Sequence, residues 1–200
     1  MAAMALPRVQ VLSLAAAAAT LLAAAQPAAA KPKEKYYFEV AELAAGENAA
    51  DAKPVLALVR ELLAAGIAKN PQLVAALDPT APDPKADPAK FKAYLKKKKL
   101  RAFRVNLEVT DYDHVIEQGP NGQRLSVYIE LRTFGETIPD RIMAFSGSGG
   151  ANVKIDIGKK LRDKDTEYAN REAITLAIDE ALQRSIKKLQ EPPPAKPTRK

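Results

Sequence analysis

The clearest pattern in the chain is a strict alternation of apolar and polar residues on either side of position 121. In the first run the apolar side is formed by Phe103, Val105, Leu107 and Val109. In the second it is formed by Leu125, Val127, Ile129 and Leu131. Asn121-Gly122 between the runs is a typical hairpin turn signal. The pattern predicts two long antiparallel strands with one buried and one solvated face.

Shorter strand-like segments flank this hairpin. "YYFEV" at 36–40, "IMAFS" at 142–146 and "NVKIDI" at 152–157 each place apolar residues at alternate positions. "NPQLVAAL" at 70–77 fits either a short strand or a helical turn, and we favour the strand.

Four of the nine glycines lie close together in "SGSGGANVKIDIG". A phosphate-binding loop needs Ser or Thr after its Gly-Lys pair and a helix directly after the glycines. Gly158-Lys159 is not followed by Ser or Thr, and a strand-like segment follows the cluster. We therefore predict a bulge or turn between two strands and no nucleotide site.

Two segments have the periodicity of amphipathic helices. The first covers 54–66, with Asp51 as its cap, Pro54 in its first turn and Gly66 as its stop. The second covers 165–190, and its apolar stripe is rich in alanine, which would let the helix lie close to a sheet.

A third, shorter helix is predicted after Asp87-Pro88, with a buried edge at Phe91, Tyr94 and Leu95. It follows a loop with four prolines at 79–88.

Together these elements predict an α/β (α+β) two-layer sandwich, in which helices cover one face of a mostly antiparallel sheet. Residues 35–190 would form this single domain. The tail "EPPPAKPTRK" at 191–200 is expected to be disordered.

The first 30 residues read as a signal peptide. Arg8 precedes a short apolar run and a small-residue end, so we predict cleavage between Ala30 and Lys31. An uncleaved anchor or an alanine-rich disordered tail is the alternative. The chain has no cysteine, which excludes a lipidated amino terminus, disulfides and thiol chemistry. A periplasmic or secreted protein without a transmembrane segment after signal removal is predicted.

The net charge and its distribution argue against a nucleic-acid-binding protein. Removal of the leader takes away Arg8 alone and leaves 30 basic against 24 acidic residues. No basic motif with interleaved aromatic residues is present. The run "KKKK" at 96–99 leaves open binding to an anionic envelope polymer.

Catalytic signals are weak. The single histidine, His114, lies beside Asp111 and Asp113, but alternation in a strand directs His114 away from both carboxylates. The letters "GSG" do not make a nucleophile elbow. We predict no cofactor, no metal site and no enzyme, and keep a cryptic hydrolase using His114 as the alternative.

The solvated side of the predicted hairpin is richer in recognition residues than a plain polar face. We predict an interaction face there, formed by Tyr112, His114, Tyr128, Arg132 and Phe134.

The order of elements resembles small α/β domains of bacterial envelope proteins, namely the TolB amino-terminal domain and the curli secretion lipoprotein family. The matching stretches are "YYFEVAEL", "VLALVRELLAAG", "FRVNLEVTDYD", "RLSVYIELRT" and "EAITLAIDEALQRSIKKL". The likeness covers most of the mature chain as a pattern of elements, and it transfers no functional residue. The chain differs in lacking a lipidation cysteine and propeller repeats. The resemblance implies an envelope domain that binds or assembles with a protein or another envelope component.

Overall fold

The structure is a computed structural model, and it describes residues 34–119, 122–158 and 160–191. The five strands are β1 (Lys35–Ala45), β2 (Leu73–Val74), β3 (Leu100–Gly119), β4 (Gly122–Thr137) and β5 (Met143–Ile157). The helices are a 3₁₀ helix (Glu47–Val55), α1 (Leu56–Lys69), α2 (Pro88–Lys98) and α3 (Asp163–Gln190). The predicted signal peptide and nearly all of the predicted tail lie outside the described residues.

The strands form one curled sheet in the order β2-β1-β3-β4-β5, which confirms the mixed α/β class. β3, β4 and β5 are antiparallel, and the predicted hairpin is present, with Gly119 opposite Gly122. The other half is parallel, where the prediction was a mostly antiparallel sheet, because β2 and β3 both run parallel to β1. Helical connections bring the chain back to the same end of the sheet before each new strand, which makes these pairs parallel. Segment 70–77 supplies β2, as favoured, but only as two residues.

The main core lies between the sheet and α3. Ala177 and Ala181 of the predicted stripe are buried there, and Ala169 and Ala173 extend the buried stripe toward the start of α3. The prediction of a turn or bulge at the glycine cluster is wrong, because β5 is one continuous strand through it. A Cβ on Gly149 would overlap the carbonyl oxygen of Ala177 and lie 2.6 Å from the amide nitrogen of Ala181. Glycine is present there because the helix backbone touches the strand.

The first helix also differs at both ends from its predicted limits. Asp51 lies within the 3₁₀ helix, and no side chain caps α1. Gly66 does not stop the helix, which continues to Lys69. A Cβ on Gly66 would lie 3.2 Å from Ile178 and 3.3 Å from Leu182 of α3, so this glycine allows α1 and α3 to pack closely.

A second, smaller core lies on the other face of the sheet. Phe91 and Leu95 of α2 pack there with Ala102 of β3 and Ile138, which follows β4. The prediction placed helices on one face only. Since Ala102 alternates with the inward-facing Phe103, α2 covers the opposite face at this end of the sheet.

Candidate interaction groove on the outer sheet face

The face of β4 and β5 that points away from α3 is called the outer face below. Each of its β4 residues lies directly opposite a β5 residue. The β4 contributions are Ser126, Tyr128, Glu130, Arg132 and Phe134, and the opposing β5 residues are Lys154, Asn152, Gly150, Ser148 and Ser146. The five β5 residues are all polar or glycine. The outer face of β4 and β5 therefore has no apolar surface like the one on which α2 packs.

Three of the five residues predicted for the interaction face lie on the outer face. Tyr128, Arg132 and Phe134 alternate along β4, as predicted. The other two do not join them. A bulge between Val109 and Asp111 reverses the alternation of β3, so that Tyr112 and His114 lie on the side facing α3.

Tyr112 is a buried structural residue. Only 8% of it is exposed, and its hydroxyl donates to Oδ1 of Asn170 in α3 at 2.9 Å. Burial raises the pKa of Tyr112, and the hydrogen bond to Asn170 opposes that rise. Its predicted placement on the solvated face is wrong because of the bulge.

His114 is exposed and lies opposite Val127. Its ring centre is 6.1 Å from that of Tyr112. Asp111 and Asp113 lie on the outer side of the sheet, away from the imidazole, as the alternation predicts. Across the described ranges, no three His, Asp or Glu side chains are grouped closely enough to hold a metal ion.

Along the edge of β5 that pairs with no other described strand, the outer face and α3 enclose an open groove of about 640 Å³, called the β5 groove. β4 contributes Glu130, Arg132 and Phe134, and β5 contributes Ser146, Gly147 and Ser148. α3 contributes Arg184, Lys187 and Lys188, and Glu191 follows directly after the helix. Positions 184, 187 and 188 follow the i, i+3, i+4 spacing, so they form one stripe on the helix surface.

The positive charges in the β5 groove are only partly neutralised. Arg184 binds Glu180, and Nζ of Lys188 lies 2.9 Å from Oε2 of Glu191. Within the described residues, Arg132 and Lys187 form no ion pair. The guanidinium carbon of Arg132 lies 5.9 Å from the ring centre of Phe134, which is within cation–π range. The groove therefore presents Arg132 beside an aromatic ring and Lys187 as a second available cation on its α3 side.

Tyr128 lies farther along the same edge, in a shallower depression shared with Glu180 and Arg184. Desolvation raises its pKa, and the nearby carboxylates of Glu130 and Asp111 raise it further. The phenol is therefore neutral at physiological pH and offers a hydroxyl for hydrogen bonding.

The chemistry of the β5 groove fits binding better than catalysis. Ser146 and Ser148 supply hydroxyls, but a serine nucleophile needs a base within hydrogen-bond reach. His114 is the only histidine of the chain, and it lies on the face of the hairpin opposite to these serines. Arginine, lysine and hydroxyl groups beside an aromatic ring instead fit a ligand that carries carboxylates.

Sequence reasoning did not connect α3 with this site. The helical periodicity places Arg184 and Lys187 on the polar side of α3, where both are exposed, but it gives no indication of their neighbours. Only the direction in which α3 crosses the sheet brings them to Arg132 and Phe134.

Two other places on the surface combine charge with a cavity or an exposed helix end. A cavity of about 450 Å³ near Arg104 has mixed charges, and Nη2 of Arg104 already lies 3.2 Å from Glu39. The lysines at 96–98 occupy the last turn of α2, and Lys99 caps it in the left-handed conformation. Cations at this end complement the helix dipole, which gives these lysines a structural explanation.

No protein-family model and no curated protein sequence matches the chain. Among solved structures, a Xanthomonas campestris protein of family DUF330 aligns with a TM-score of 0.45 at 10% identity, covering 79% of this chain and 87% of that one. A minor lipoprotein from Acinetobacter baumannii gives a TM-score of 0.39 at 10% identity, covering 78% and 94%. PelC from Paraburkholderia phytofirmans, a dodecamer, gives 0.35 at 11% identity, covering 74% and 87%.

At these values the similarities assign no function to this chain. The resemblance to the TolB amino-terminal domain and the curli secretion lipoprotein family stays a prediction. In the part of the chain that the structure describes, no helix is both long and apolar enough to cross a membrane.

Proposed function

We propose that this chain is an exported, non-enzymatic binding or assembly module of the bacterial cell envelope, and that the β5 groove binds an acidic segment of a partner protein. The observation that carries the proposal is the convergence of Arg132 and Phe134 from β4 with Lys187 from α3. Export is inferred from the leader-like pattern of residues 1–30.

The groove fits an extended acidic segment for two reasons. Arg132 and Lys187 provide charges that carboxylates neutralise, and Phe134 provides an apolar surface for the stems of acidic side chains. The groove is also open along its length beside a free strand edge, and an extended chain can lie against such an edge. A partner of this kind would bind less tightly at high salt, since exposed charges are screened.

Site-specific photo-crosslinking in intact cells tests this function. A benzophenone amino acid at Ser146 reports on the groove, and the same group at Leu176, which is 47% exposed on α3, is the matched control. We expect discrete adducts from position 146 and none from position 176. The adducts should disappear when Arg132→Glu and Lys187→Glu are combined.

Equal adducts at both positions, or adducts that survive the double charge reversal, would contradict the proposal. The two alternatives make different predictions. A hydrolase that uses His114 would lose turnover in His114→Ala, whereas groove binding would persist. A polymer-binding protein would depend on the lysines at 96–99 instead of on Arg132.

A further inference from the structure

We propose that two copies of this chain pair edge to edge through β5, antiparallel and centred on Ile155. This inference concerns a different segment of β5 from the groove and does not depend on the proposed function. It rests on the free edge of the strand and on the order of residues 152–158.

The backbone at this edge points away from the sheet. In the described residues β5 pairs with β4 alone. The N–H of Gly150 donates to Oε2 of Glu180 at 2.8 Å, so it does not face β4. Since hydrogen-bonding direction alternates along an antiparallel strand, the backbone groups of Asn152, Lys154 and Asp156 face outward as well.

The segment is also shaped to accept another strand. The register of β4 with β5 is unbroken from the Gln123–Ile157 pair to the Gly135–Phe145 pair, so no bulge bends this edge. Glu180 and Arg184 of α3 reach the strand only at Gly150 and Ser148. Residues 152–158 lie beyond that cover.

Residues 152–158 read "NVKIDIG", and this segment is self-complementary around Ile155. A two-fold antiparallel pairing places Lys154 opposite Asp156 of the second copy on the outer face. On the other face, Val153 lies opposite Ile157 of the second copy. Opposite charges and apolar pairs at directly facing positions stabilise a sheet.

The pairing would also extend a row of alternating charges. Within one copy, Glu117 lies opposite Arg124, and Arg124 lies opposite Asp156. Nε of Arg124 is 2.9 Å from Oδ1 of Asp156. Lys154 of the second copy would continue the row beside Asp156, giving negative, positive, negative and positive charges across the interface.

Other edge pairings are less favourable. A lysine on an edge strand normally discourages pairing. In each copy Nζ of Lys154 already lies 3.4 Å from Oε2 of Glu117, and Asp156 of the second copy would give this ammonium a second carboxylate neighbour. The strand at the opposite edge of this sheet is β2, which has only two residues. It could therefore form few backbone hydrogen bonds with the β5 edge of another copy in a head-to-tail arrangement. A two-fold dimer uses the same edge twice and matches each lysine with an aspartate.

The dimer would be reversible and would leave the β5 groove open. An edge of seven residues supplies about eight backbone hydrogen bonds, which is a small interface. Its centre at Ile155 lies roughly 27 Å along the strand from Gly147. Both grooves of a dimer could therefore be occupied together, which would strengthen binding to a partner with two acidic segments.

Sedimentation velocity of the purified chain over a range of concentrations tests the inference. We expect a monomer–dimer equilibrium. Lys154→Asp and Asp156→Lys should each weaken dimerisation about tenfold or more, because each places like charges opposite one another. The combined charge swap, made together with Arg124→Glu and Glu117→Lys so that the contacts within each copy also keep opposite signs, should restore dimerisation to within about threefold.

Two further variants make the test independent of folding defects. Lys154→Pro removes an N–H that faces away from β4, so it should abolish the dimer while circular dichroism stays unchanged. Lys92→Asp reverses a charge in the remote Lys92–Asp140 pair and should leave the dimer intact. A wild-type chain that stays monomeric at about millimolar concentration, or a charge swap without rescue, would overturn the inference.

Discussion

Alternate residues of β5 have opposite environments. Gly147 and Gly149 face α3, where a Cβ on Gly147 would lie 2.5 Å from Oγ of Ser185. Their neighbours Ser146 and Ser148 face the open groove. One strand therefore holds the helix with one set of positions and offers a binding surface with the other. The comparison shows that the glycines allow α3 to pack closely on the strand. Substitutions at Gly147 and Gly149 should therefore affect stability, whereas substitutions at Ser146 and Ser148 should affect binding.

The largest effect is expected from Gly149→Ala. The added Cβ would overlap Ala177, so α3 must move off the strand, and overpacking of this kind costs about 3 kcal/mol of unfolding free energy. Gly150→Ala is the matched control, because its nearest neighbour is Ile129 O at 3.5 Å. The control should stay within about 0.5 kcal/mol of wild type. Urea denaturation measures both, and equal losses would show that close packing of α3 does not explain these glycines.

The strands β3 and β4 and the helix α3 could be predicted from the sequence because their buried apolar residues recur with a regular period. Period-two burial located β3 and β4, and the alanine stripe indicated close packing of α3. The glycine cluster could not be interpreted in the same way, because glycine permits both turns and close contacts. Only the position of α3 shows that these glycines allow a close contact and do not form a turn. The parallel pairs of β1 were missed for a similar reason, since the alternation within a strand carries no signal of the direction of its neighbour.

Tyr112→Phe should have the next largest effect. It leaves Oδ1 of the buried Asn170 without its donor, which costs about 1–3 kcal/mol. Tyr128→Phe, on the outer face, is the control and should change stability by less than about 0.5 kcal/mol. Thermal or urea unfolding tests the pair. A Tyr128 variant as unstable as the Tyr112 variant would contradict the assignment of the two tyrosines to different faces.

Tyr112 also makes the stability of the fold depend on pH. Burial raises the pKa of Tyr112, so the folded chain keeps the phenol neutral to a higher pH than the unfolded chain does. The resulting stabilisation is complete below the pKa of an unfolded tyrosine, about 10, and is lost as the pH rises through the folded value. Stability should therefore fall above about pH 10, and less steeply in Tyr112→Phe. A fall of the same slope in both proteins would exclude this contribution.

A smaller loss is expected from Thr133→Val. Oγ1 of Thr133 lies 2.9 Å from Oγ of Ser185, and Ser185 also donates to the carbonyl of Ala181. Because Ser185 keeps that second partner, the variant should lose only about 1 kcal/mol. Thr175→Val, at a partly exposed position on α3, is a control for the change of residue type. A larger loss in the control would show that the buried hydroxyl pair is not the cause.

The smallest effect on stability should come from the groove. Arg132→Glu and Lys187→Glu remove no ion pair among the described residues, so each should change unfolding free energy by less than about 0.5 kcal/mol. Their effect should appear in partner binding instead. A strongly destabilised Arg132 variant would show that this residue belongs to the folding core.

The candidate site was only half accessible to sequence reasoning. Alternation along β4 correctly grouped Tyr128, Arg132 and Phe134. It failed on β3, because a single bulged residue reverses every later side chain and leaves no mark in the composition. The contribution of α3 was not accessible at all, since the presence of Lys187 in the same groove as Phe134 depends on the crossing direction of the helix.

The most direct test is NMR mapping of amide shifts while the chain is titrated with an extended oligoglutamate peptide. The proposal predicts that the largest shifts fall on Arg132, Phe134, Ser146, Ser148 and Lys187, and that they shrink as salt is added. Shifts centred on the lysines at 96–99 or on His114, or the absence of any localised shift, would contradict it.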